Sequence, residues 1–524
     1  MASTTRAPRP PGRTLASPVV LVWALLASIL IALIMKATLA APPGTVFVGT
    51  FLFVPDFYIY LSYVQQAQAG AVLLRNKLVD PSFPAVVFNL EWLVVGWLSR
   101  LLGNAPIVAY HALGLGALAA NVALVDRWLV RAGLPPSRRL AGLLLVFTGG
   151  GLGGVLALVA SPEVAQTYAL DLYAGLYPFL EVIGNPHFVL GTTLLVASLS
   201  AFALRRPSWG VLLGTVLALV RPYDAVLVCG VEGLAVVILA PPRAWPRRLL
   251  TVAAIFPALA YDLWAFMWAP GSQVFAGDFW KAFQPPATAL AVSLGPAVLI
   301  AVTVLRLPHS RNDEATRHRL YLGLWFLLAI LVEILRPVTF AFQLMAGVGL
   351  PLLALGAIGL ASFHRRALTI AVPPFACSAV VLTLICAIPQ PHVNVPSSRW
   401  QVASTLRPLC RPGQVVLAPS DIGSYVGGFT ACWPFVSHGA APGYLKREAA
   451  LRRFGVSSDA ERAAFLERRC IAYFVAPAVW TNGGLPPVAP YHLAGRTTGV
   501  EPLAVYARDP ASPCPGARAA TAGP

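Results

Sequence analysis

The stretch from Pro18 to Ala41 reads PVVLVWALLASILIALIMKATLAA, and its one charged residue is Lys36. A helix needs about 20 consecutive apolar residues to cross the hydrocarbon core of a bilayer, and this stretch supplies them. No clear A-x-A cleavage site follows it, so we interpret it as a retained membrane helix and not as a signal peptide. The chain is therefore predicted to begin with a membrane crossing.

Similar apolar runs recur along the chain. Of its 524 residues, 57% are hydrophobic and 11% are charged, and the mean hydropathy is +0.71. A soluble protein of this length is not expected to carry so little charge. The sequence predicts an α-helical polytopic membrane protein with about eleven crossings, near 17–40, 104–125, 140–160, 187–204, 209–221, 223–240, 249–268, 287–305, 320–335, 338–361 and 367–389. The two short crossings on either side of RPYD could instead be one kinked element.

The net charge of +17 lies between the apolar runs. Short loops rich in Arg and Lys are typical of the cytoplasmic side of a membrane. We therefore predict a cytoplasmic N-terminal tail at 1–16, a membrane domain at 17–389 and an extracytoplasmic C-terminus, in a bacterial inner membrane. Nucleic acid is not expected as a partner. The basic segments are 1–13, 126–139, 205–208, 241–248, 306–319 and 364–366.

The loops left on the outer side hold half of the acids of the membrane region. These loops are 41–103, 161–186 and 269–286. Within the first of them, Pro84 to Gly103 is apolar but short, so we predict an interfacial helix there. The acids of these loops are Asp56, Asp80, Glu91, Glu163, Asp171, Glu181 and Asp278.

After residue 390 the long apolar runs give way to a mixed pattern of apolar and polar residues, which predicts a small α/β domain at 390–510. QVVLAP and IAYFVAP indicate short buried strands, and Ser458 with Glu461 indicates a capping box. The domain's cysteines suit an oxidising compartment and leave three pairings open. The Ala/Pro-rich tail at 511–524 is predicted to be disordered. The cysteines are Cys410, Cys432, Cys470 and Cys514.

One acid stands among tyrosines just after the first crossing, in VPDFYIYLSYVQQAQAG from Val54 to Gly70. Asp56 is predicted to cap a helix that begins at Phe57. A carboxylate at the outer membrane face is also a candidate general base or metal ligand. The two roles are compatible.

This first loop resembles that of the GT-C superfamily of membrane glycosyltransferases, which includes protein O-mannosyltransferases and lipid A aminoarabinose transferases. The resemblance extends to GNPHFVLGTTLLV at 184–196, RPYDAVLV at 221–228 and SHGAAPGYLKREAALRRFG at 437–455. It implies a GT-C-like membrane fold and an enzyme that takes a sugar from a polyprenyl-phosphate carrier at the outer face. The sugar would pass, with inversion, to a glycan, lipid or protein acceptor.

By this resemblance Asp56 matches the catalytic acid of the family's first loop. Val54 and Pro55 precede it, so there is no Asp-x-Asp pair, and binding of a divalent metal such as Mg²⁺ or Mn²⁺ stays open. A second catalytic acid would be Glu91 or Asp80, and Glu91 is favoured because FNLEW is otherwise apolar. A solvated interfacial charge is the alternative for Glu91.

A polyprenyl-phosphate donor needs a cation at headgroup depth. Arg336 and Arg221, each followed by Pro, are candidates for this cation. The alternative is an arginine that snorkels to the interface or, for Arg221, a simple pair with Asp224. His187 is a candidate for the donor phosphate or a metal, and His438 for the acceptor side, although structural histidines are common. The glycine run at 147–159 lacks the Lys and Ser/Thr of a phosphate loop and indicates close helix packing.

The sequence thus predicts a polyprenyl-phosphate-dependent glycosyltransferase of the cell envelope. The alternative is a non-enzymatic transporter or flippase of lipid-linked sugars. Acids at mid-membrane depth on several crossings would favour transport, whereas acids gathered at one face favour transfer. This sequence has the second pattern.

Overall fold

The computed structural model describes residues 17–269, 284–308, 310, 313–338, 341–363, 366–439, 441, 443–477, 489–499 and 501–512. The predicted tail at 1–16, nearly all of the tail at 511–524, and most of the loop at 269–286 with Asp278 lie outside these residues. Cys514 also lies outside them.

The membrane domain contains eight described helices that are long and apolar enough to cross a bilayer, and the protein is an integral membrane protein. Two further helix pairs are bent, by 55° and 46°, and each pair makes one span if counted together. The predicted count of eleven is not confirmed, because Pro207–Ala218 is a helix of only 12 residues. The eight are Pro18–Leu39, Pro106–Arg131, Pro186–Ala203, Pro222–Leu239, Ala287–Arg306, Glu314–Leu335, Ala341–Phe363 and Ala367–Ala387; the pairs are Pro136–Thr148 with Gly153–Val159 and Pro242–Ala253 with Phe256–Phe266.

The glycine run forms the break in the first bent pair. A Cβ atom on Gly151 would lie 2.1 Å from the carbonyl oxygen of Ser293, so the neighbouring helix approaches as closely as glycine allows. Oδ2 of Asp171 accepts hydrogen bonds from the Gly151 amide at 2.9 Å and from Oγ of Ser378 at 2.6 Å. The predicted role of these glycines in close packing is confirmed.

The two ends of the helix Pro106–Arg131 identify two sides of the bundle. Near its start, the hydroxyl of Tyr110 donates to Oδ1 of Asn185, at the beginning of Pro186–Ala203. At its end, Arg131 lies 3.4 Å from Glu314, and Nε of Arg317 donates to the Ala203 carbonyl at 2.6 Å. The basic segments around 131, 205 and 314–319 therefore meet at the same end of the bundle.

The C-terminal region is built on a five-stranded mixed sheet. Strand β3 (Val415–Leu417) pairs in parallel with β4 (Trp433–Pro434) and β5 (Ile471–Pro477), and β7 (Leu503–Arg508) pairs antiparallel with β5 and β6 (Tyr491–Arg496). Both predicted strands are present, and so is the capping box at Ser458. The helices are Ser397–Leu406, Ser420–Phe429, Tyr444–Val456 and Asp459–Arg468.

A strand pair connects this domain to the membrane domain, and a disulfide cross-links it internally. Strand β1 (Thr45–Phe47), just after the first crossing, pairs antiparallel with β2 (Asn394–Pro396), just after the last. Cys410 and Cys432 form a disulfide. This disulfide is among the pairings that the sequence left open.

The C-terminal domain docks on the helix Val54–Gln68 of the first loop. The Tyr58 ring meets Tyr425 edge-on at 4.8 Å and Phe429 at 5.7 Å. Nζ of the buried Lys77 donates to the carbonyls of Gly427 at 2.9 Å and Thr430 at 2.6 Å. We call the end of the bundle that carries this domain the domain side.

The segment predicted as an interfacial helix at Pro84–Gly103 is helical from Leu90 to Leu101. Asn89 caps it, because its Oδ1 accepts from the amides of Glu91 at 3.0 Å and Trp92 at 3.3 Å. One face exposes large apolar side chains, as a helix at a bilayer surface requires. They are Val94, Trp97 and Leu101.

Candidate active site

A cavity of about 540 Å³ opens on the domain side of the membrane bundle. Its wall draws on all three predicted outer loops, and its size is typical of a small-molecule site. Polar side chains stand among aromatic and aliphatic ones. The polar members are Asp56, Tyr60, Tyr63, Asn76, Asn89, Gln166, Thr167, Tyr173, His187, Arg221, Tyr223, Gln284 and Gln343.

The helix Val54–Gln68 carries Asp56 in its first turn. Phe53 precedes it in a left-handed conformation, at φ +53°, and no side chain caps the helix. The predicted cap by Asp56 is therefore wrong, because the helix begins two residues before that acid. Asp56, Tyr60 and Tyr63 follow the 4 and 3 spacing of one helix face, and all three line the cavity.

Asp56 lines the cavity and is paired with a histidine of the C-terminal domain. Its side chain keeps 39% of its exposure, and its Oδ1 lies 3.3 Å from Nε2 of His438. His438, whose side chain is 8% exposed, comes from the loop between β4 and Tyr444–Val456 of the docked domain. The structure thus brings together two residues that the sequence analysis assigned separately.

Glu91 and His187 form a second pair. Nδ1 of His187 is bound to Oε2 of Glu91, which is 2% exposed and does not line the cavity, whereas His187 does. The His187 ring lies 5.2 Å from the ring of Tyr60 and 5.0 Å from that of Trp92. Glu91 is therefore behind a histidine, not a solvated interfacial charge.

Arg221 is 1% exposed and lines the same cavity. Its guanidinium stacks 4.4 Å from the Phe188 ring, lies 3.5 Å from Oδ2 of Asp224, and donates to the Gln343 carbonyl at 3.3 Å. Within the described part of the chain, Nη1 has no hydrogen-bond partner. A buried guanidinium nitrogen without a partner is costly, and an anion in the cavity would satisfy it.

Arg336 lies behind the cavity wall. It ends the helix Glu314–Leu335 in a left-handed conformation, at φ +47°. Its guanidinium donates to Oε1 of Gln284 at 2.9 Å and to the Pro285 carbonyl at 3.0 Å, and it lies 3.3 Å from Glu333. Gln284 and Pro285 line the cavity, so Arg336 contacts the wall through them.

The sequence analysis did not single out the aromatic and amide residues of the wall. Trp92 stacks on Tyr60 at 4.6 Å, and the amide nitrogen of Asn89 donates to the Val220 carbonyl at 2.9 Å. Burial raises the pKa of the Tyr60 hydroxyl, and the charge of Asp56 raises it further, so this hydroxyl stays protonated. Only the spacing of Tyr60 and Tyr63 from Asp56 could have identified them, once the helix start was known.

The acids and histidines of the wall do not combine into a metal centre. Among the described residues, no group of three or more His, Cys, Asp or Glu side chains lies close enough to hold an ion. Each carboxylate of the two pairs already has a histidine as its partner. The alternative second acid, Asp80, is exposed and accepts from Ser82 within a turn.

No family model matches this sequence. Among solved structures, the fold is similar to that of ArnT from Cupriavidus metallidurans bound to undecaprenyl phosphate, with 13% identity and a TM-score of 0.52 over 95% of this chain and all of that one. It is also similar to the arabinofuranosyltransferase AftD from Mycobacteria, with 15% identity and a TM-score of 0.53 over 93% of this chain and 40% of AftD. The Archaeoglobus fulgidus oligosaccharyltransferase solved with Zn and sulfate matches over 92% of this chain and 72% of that chain, with 14% identity and a TM-score of 0.46.

ArnT and AftD share the GT-C fold, and the likeness covers nearly the whole of this chain. The expected fold, a GT-C-like helical membrane domain followed by a small C-terminal sheet domain, is confirmed.

Proposed function

We propose that this chain, which has the fold of the GT-C membrane glycosyltransferases, moves a sugar from a polyprenyl-phosphate carrier to a hydroxyl acceptor. The observation that supports this most is one cavity lined by both a carboxylate, Asp56, and a buried arginine, Arg221. Glycosyl transfer needs a base for the acceptor and a cation for the leaving phosphate in the same space. The undecaprenyl phosphate of the ArnT structure gives the class of carrier.

Asp56 is the proposed general base. The acceptor hydroxyl gives its proton to the free side of the carboxylate, and the acceptor oxygen forms a bond to the anomeric carbon. His438 holds Oδ1 from the docked domain, and Asp56 itself lines the cavity. The configuration at the anomeric carbon inverts as the bond from this carbon to the phosphate oxygen breaks.

Arg221 is the proposed cation for the phosphate. The electron pair of the broken bond remains on the phosphate oxygen, and a fixed guanidinium stabilises this charge without reorganising. Phe188, Asp224 and Gln343 already hold the group, and its Nη1 is available. His187 lies in the same wall, and Arg336 supports the wall through Gln284 and Pro285.

We further infer that the domain side is extracytoplasmic, in a bacterial inner membrane with the N-terminus inside. The meeting of basic segments at the opposite end of the bundle supports this orientation. The acceptor is a glycan, lipid or protein that reaches the cavity beside the C-terminal domain. A requirement for Mg²⁺ or Mn²⁺ is tested by dialysis against EDTA and restoration with each ion.

The experiment is sugar transfer by Asp56→Asn in proteoliposomes, with undecaprenyl-phosphate donors carrying radiolabelled arabinofuranose, aminoarabinose or mannose and a cell-envelope extract as acceptor. An amide takes up no proton, so we expect a loss of about 10²- to 10⁴-fold with unchanged expression and thermal stability. Asp80→Asn is the matched control, because Asp80 lies in the same loop, does not line the cavity, and has its described hydrogen bonds within its own turn. Transfer by Asp56→Asn at the wild-type rate would contradict the proposal. Release of intact lipid-linked sugar on the other side of the membrane, without transfer, would favour the transporter.

A further inference from the structure

The two histidine–carboxylate pairs differ in which member lines the cavity. In the pair of Asp56 and His438, the carboxylate lines the cavity and the imidazole lies behind it. In the pair of Glu91 and His187, the imidazole lines the cavity and the carboxylate lies behind it. A carboxylate backed by a histidine suits proton uptake, whereas a histidine backed by a carboxylate suits proton donation.

We propose that His187 protonates the leaving phosphate and that Glu91 is the positioning residue that orients its imidazole. This inference rests on the proposed glycosyl transfer and assigns one further step of it. His187 thereby becomes a catalytic residue, and Glu91, predicted as a second catalytic acid, acts only through it.

The contacts of His187 leave one ring nitrogen for the cavity. Nδ1 is occupied by Oε2 of Glu91, so Nε2 is the atom that can reach a ligand. The backbone is fixed as well, since Oδ1 of Asn185 accepts from the His187 amide at 3.2 Å. Tyr60 and Trp92 lie against the ring and limit its rotation. Glu91 itself is held in the first turn of its helix by the Asn89 cap.

The buried Glu91 carboxylate binds Nδ1 of His187 and orients the ring, as an acid behind a catalytic histidine does in hydrolase triads. The charged and titratable groups around the ring are Glu91 behind it, Tyr60 and Tyr110 beside it, and Arg221, Asp224 and Asp56 from the same polar region.

The step balances with groups already present. As the bond between the anomeric carbon and the phosphate oxygen breaks, its electron pair remains on the phosphate, and the proton on Nε2 moves to a phosphate oxygen. Polyprenyl phosphate then leaves as a monoanion instead of a dianion. Water returns a proton to His187, and Asp56 releases the acceptor proton separately.

The test combines transfer rates with binding of undecaprenyl phosphate, each measured between about pH 5.5 and 9. In the wild type we expect both to fall at high pH, where the imidazole loses its proton. His187→Gln should lower transfer about 10²- to 10⁴-fold and abolish this alkaline fall. Glu91→Gln should lower it about 10- to 100-fold and move the fall to lower pH, since the imidazolium loses its anionic partner.

The matched control is His111→Gln. His111 is also buried on the domain side and bonds to the Gly49 carbonyl at 2.7 Å, but it does not line the cavity, and Gln can keep that bond. Its pH profile should be that of the wild type. Ionisation of the phosphate itself affects every variant alike, so the difference between profiles reports on His187. If His187→Gln does not fold, His187→Asn replaces it, with thermal stability measured for each variant.

Persistence of the alkaline fall in a folded His187 variant would overturn the proton-donor role. A wild-type rate and an unmoved profile in Glu91→Gln would overturn the positioning role. Failure of the wild type to bind undecaprenyl phosphate or to transfer sugar at any pH would instead overturn the proposed function, and this inference with it.

Discussion

Nε2 of His438 lies 3.3 Å from Oδ1 of Asp56, so a residue of the C-terminal domain holds the carboxylate that lines the membrane cavity. The contact depends on the docking of the Ser420–Phe429 helix on Val54–Gln68, through Tyr58 and its aromatic partners. The C-terminal domain is thereby part of the candidate active site and not an appendage beside it.

Replacement of His438 by Ala should lower transfer about 10- to 100-fold, because Asp56 loses the partner that fixes its orientation. Acceptor KM and kcat, measured separately, should show the loss mainly in kcat. His492→Ala, on the exposed face of β6 in the same domain, is the control and should behave as the wild type. Equal activity of the two variants would remove His438 from the site.

The two arginines should differ in their effect on donor binding. Arg221→Lys keeps the charge but loses the stacked, forked guanidinium, so we expect the donor KM to rise about tenfold or more. Arg336→Ala removes the bonds to Gln284 and Pro285 and the ion pair with Glu333, none of which is a direct contact with the cavity, and the donor KM should rise a few-fold. Binding of undecaprenyl phosphate to each purified variant measures both effects. The opposite order would make Arg336 the phosphate contact.

Removal of the Cys410–Cys432 disulfide should destabilise the C-terminal domain. The bridge closes a loop of 22 residues, and the loop-entropy model assigns about 3 kcal/mol to a loop of that length. Cys432 is fully buried in the domain core, so Ala is a better replacement than Ser. Limited proteolysis of the double variant should cleave after residue 390 at temperatures where the wild type resists. Equal resistance would show that the bridge adds nothing.

The membrane crossings could be predicted because each depends on a local run of apolar residues, and every predicted crossing has a helical counterpart. The predicted number of crossings was not confirmed because Pro207–Ala218, although apolar, has only 12 residues and is short for a membrane span. The helix start at Val54 was also missed. Pro55 suits the first turn of a helix, but the left-handed conformation of Phe53 before it could not be predicted from the sequence.

The pairings within the site could not be predicted. Asp56 and His438, or Glu91 and His187, meet only because distant segments pack together, and no periodicity encodes such contacts. The individual residues were recognisable by their rarity in an apolar sequence and by the family resemblance. Which member of each pair lines the cavity depends on the tertiary structure alone.

The orientation of the protein in the membrane is tested by cysteine labelling. Ser310→Cys lies at the end where basic segments meet, and Val456→Cys, 87% exposed in the wild type, lies on the C-terminal domain. A membrane-impermeant maleimide added to intact spheroplasts should label position 456 and leave 310 unlabelled until the membrane is opened. The wild type measures labelling of native cysteines. Labelling of 310 alone would invert the proposed topology.

Docking of the C-terminal domain should depend on pH through Lys77. Burial lowers the pKa of this amine from its ordinary value of 10.5 to about 7, and its described acceptors are two carbonyls, with the Trp433 ring 5.6 Å away. Between pH 7 and 10.5 the unfolded chain therefore binds more protons at this site than the folded one. Stability from this group rises with pH across that window, by at most about 1.4 kcal/mol per pH unit, and is unaffected by pH below it.

Thermal unfolding of the wild type and of Lys77→Met, measured between about pH 7 and 9, separates the contribution of the Lys77 amine to stability from that of all other titrating groups. The wild type should gain stability relative to the Met variant as the pH rises, because only the wild type must neutralise a buried amine to keep the Ser420–Phe429 helix docked. Tyr58→Ala, which weakens the same contact without a titrating group, should be less stable than the wild type by an amount that does not change with pH. Parallel curves for the wild type and Lys77→Met would mean that the amine stays charged in the interface, held by the two carbonyls and the ring.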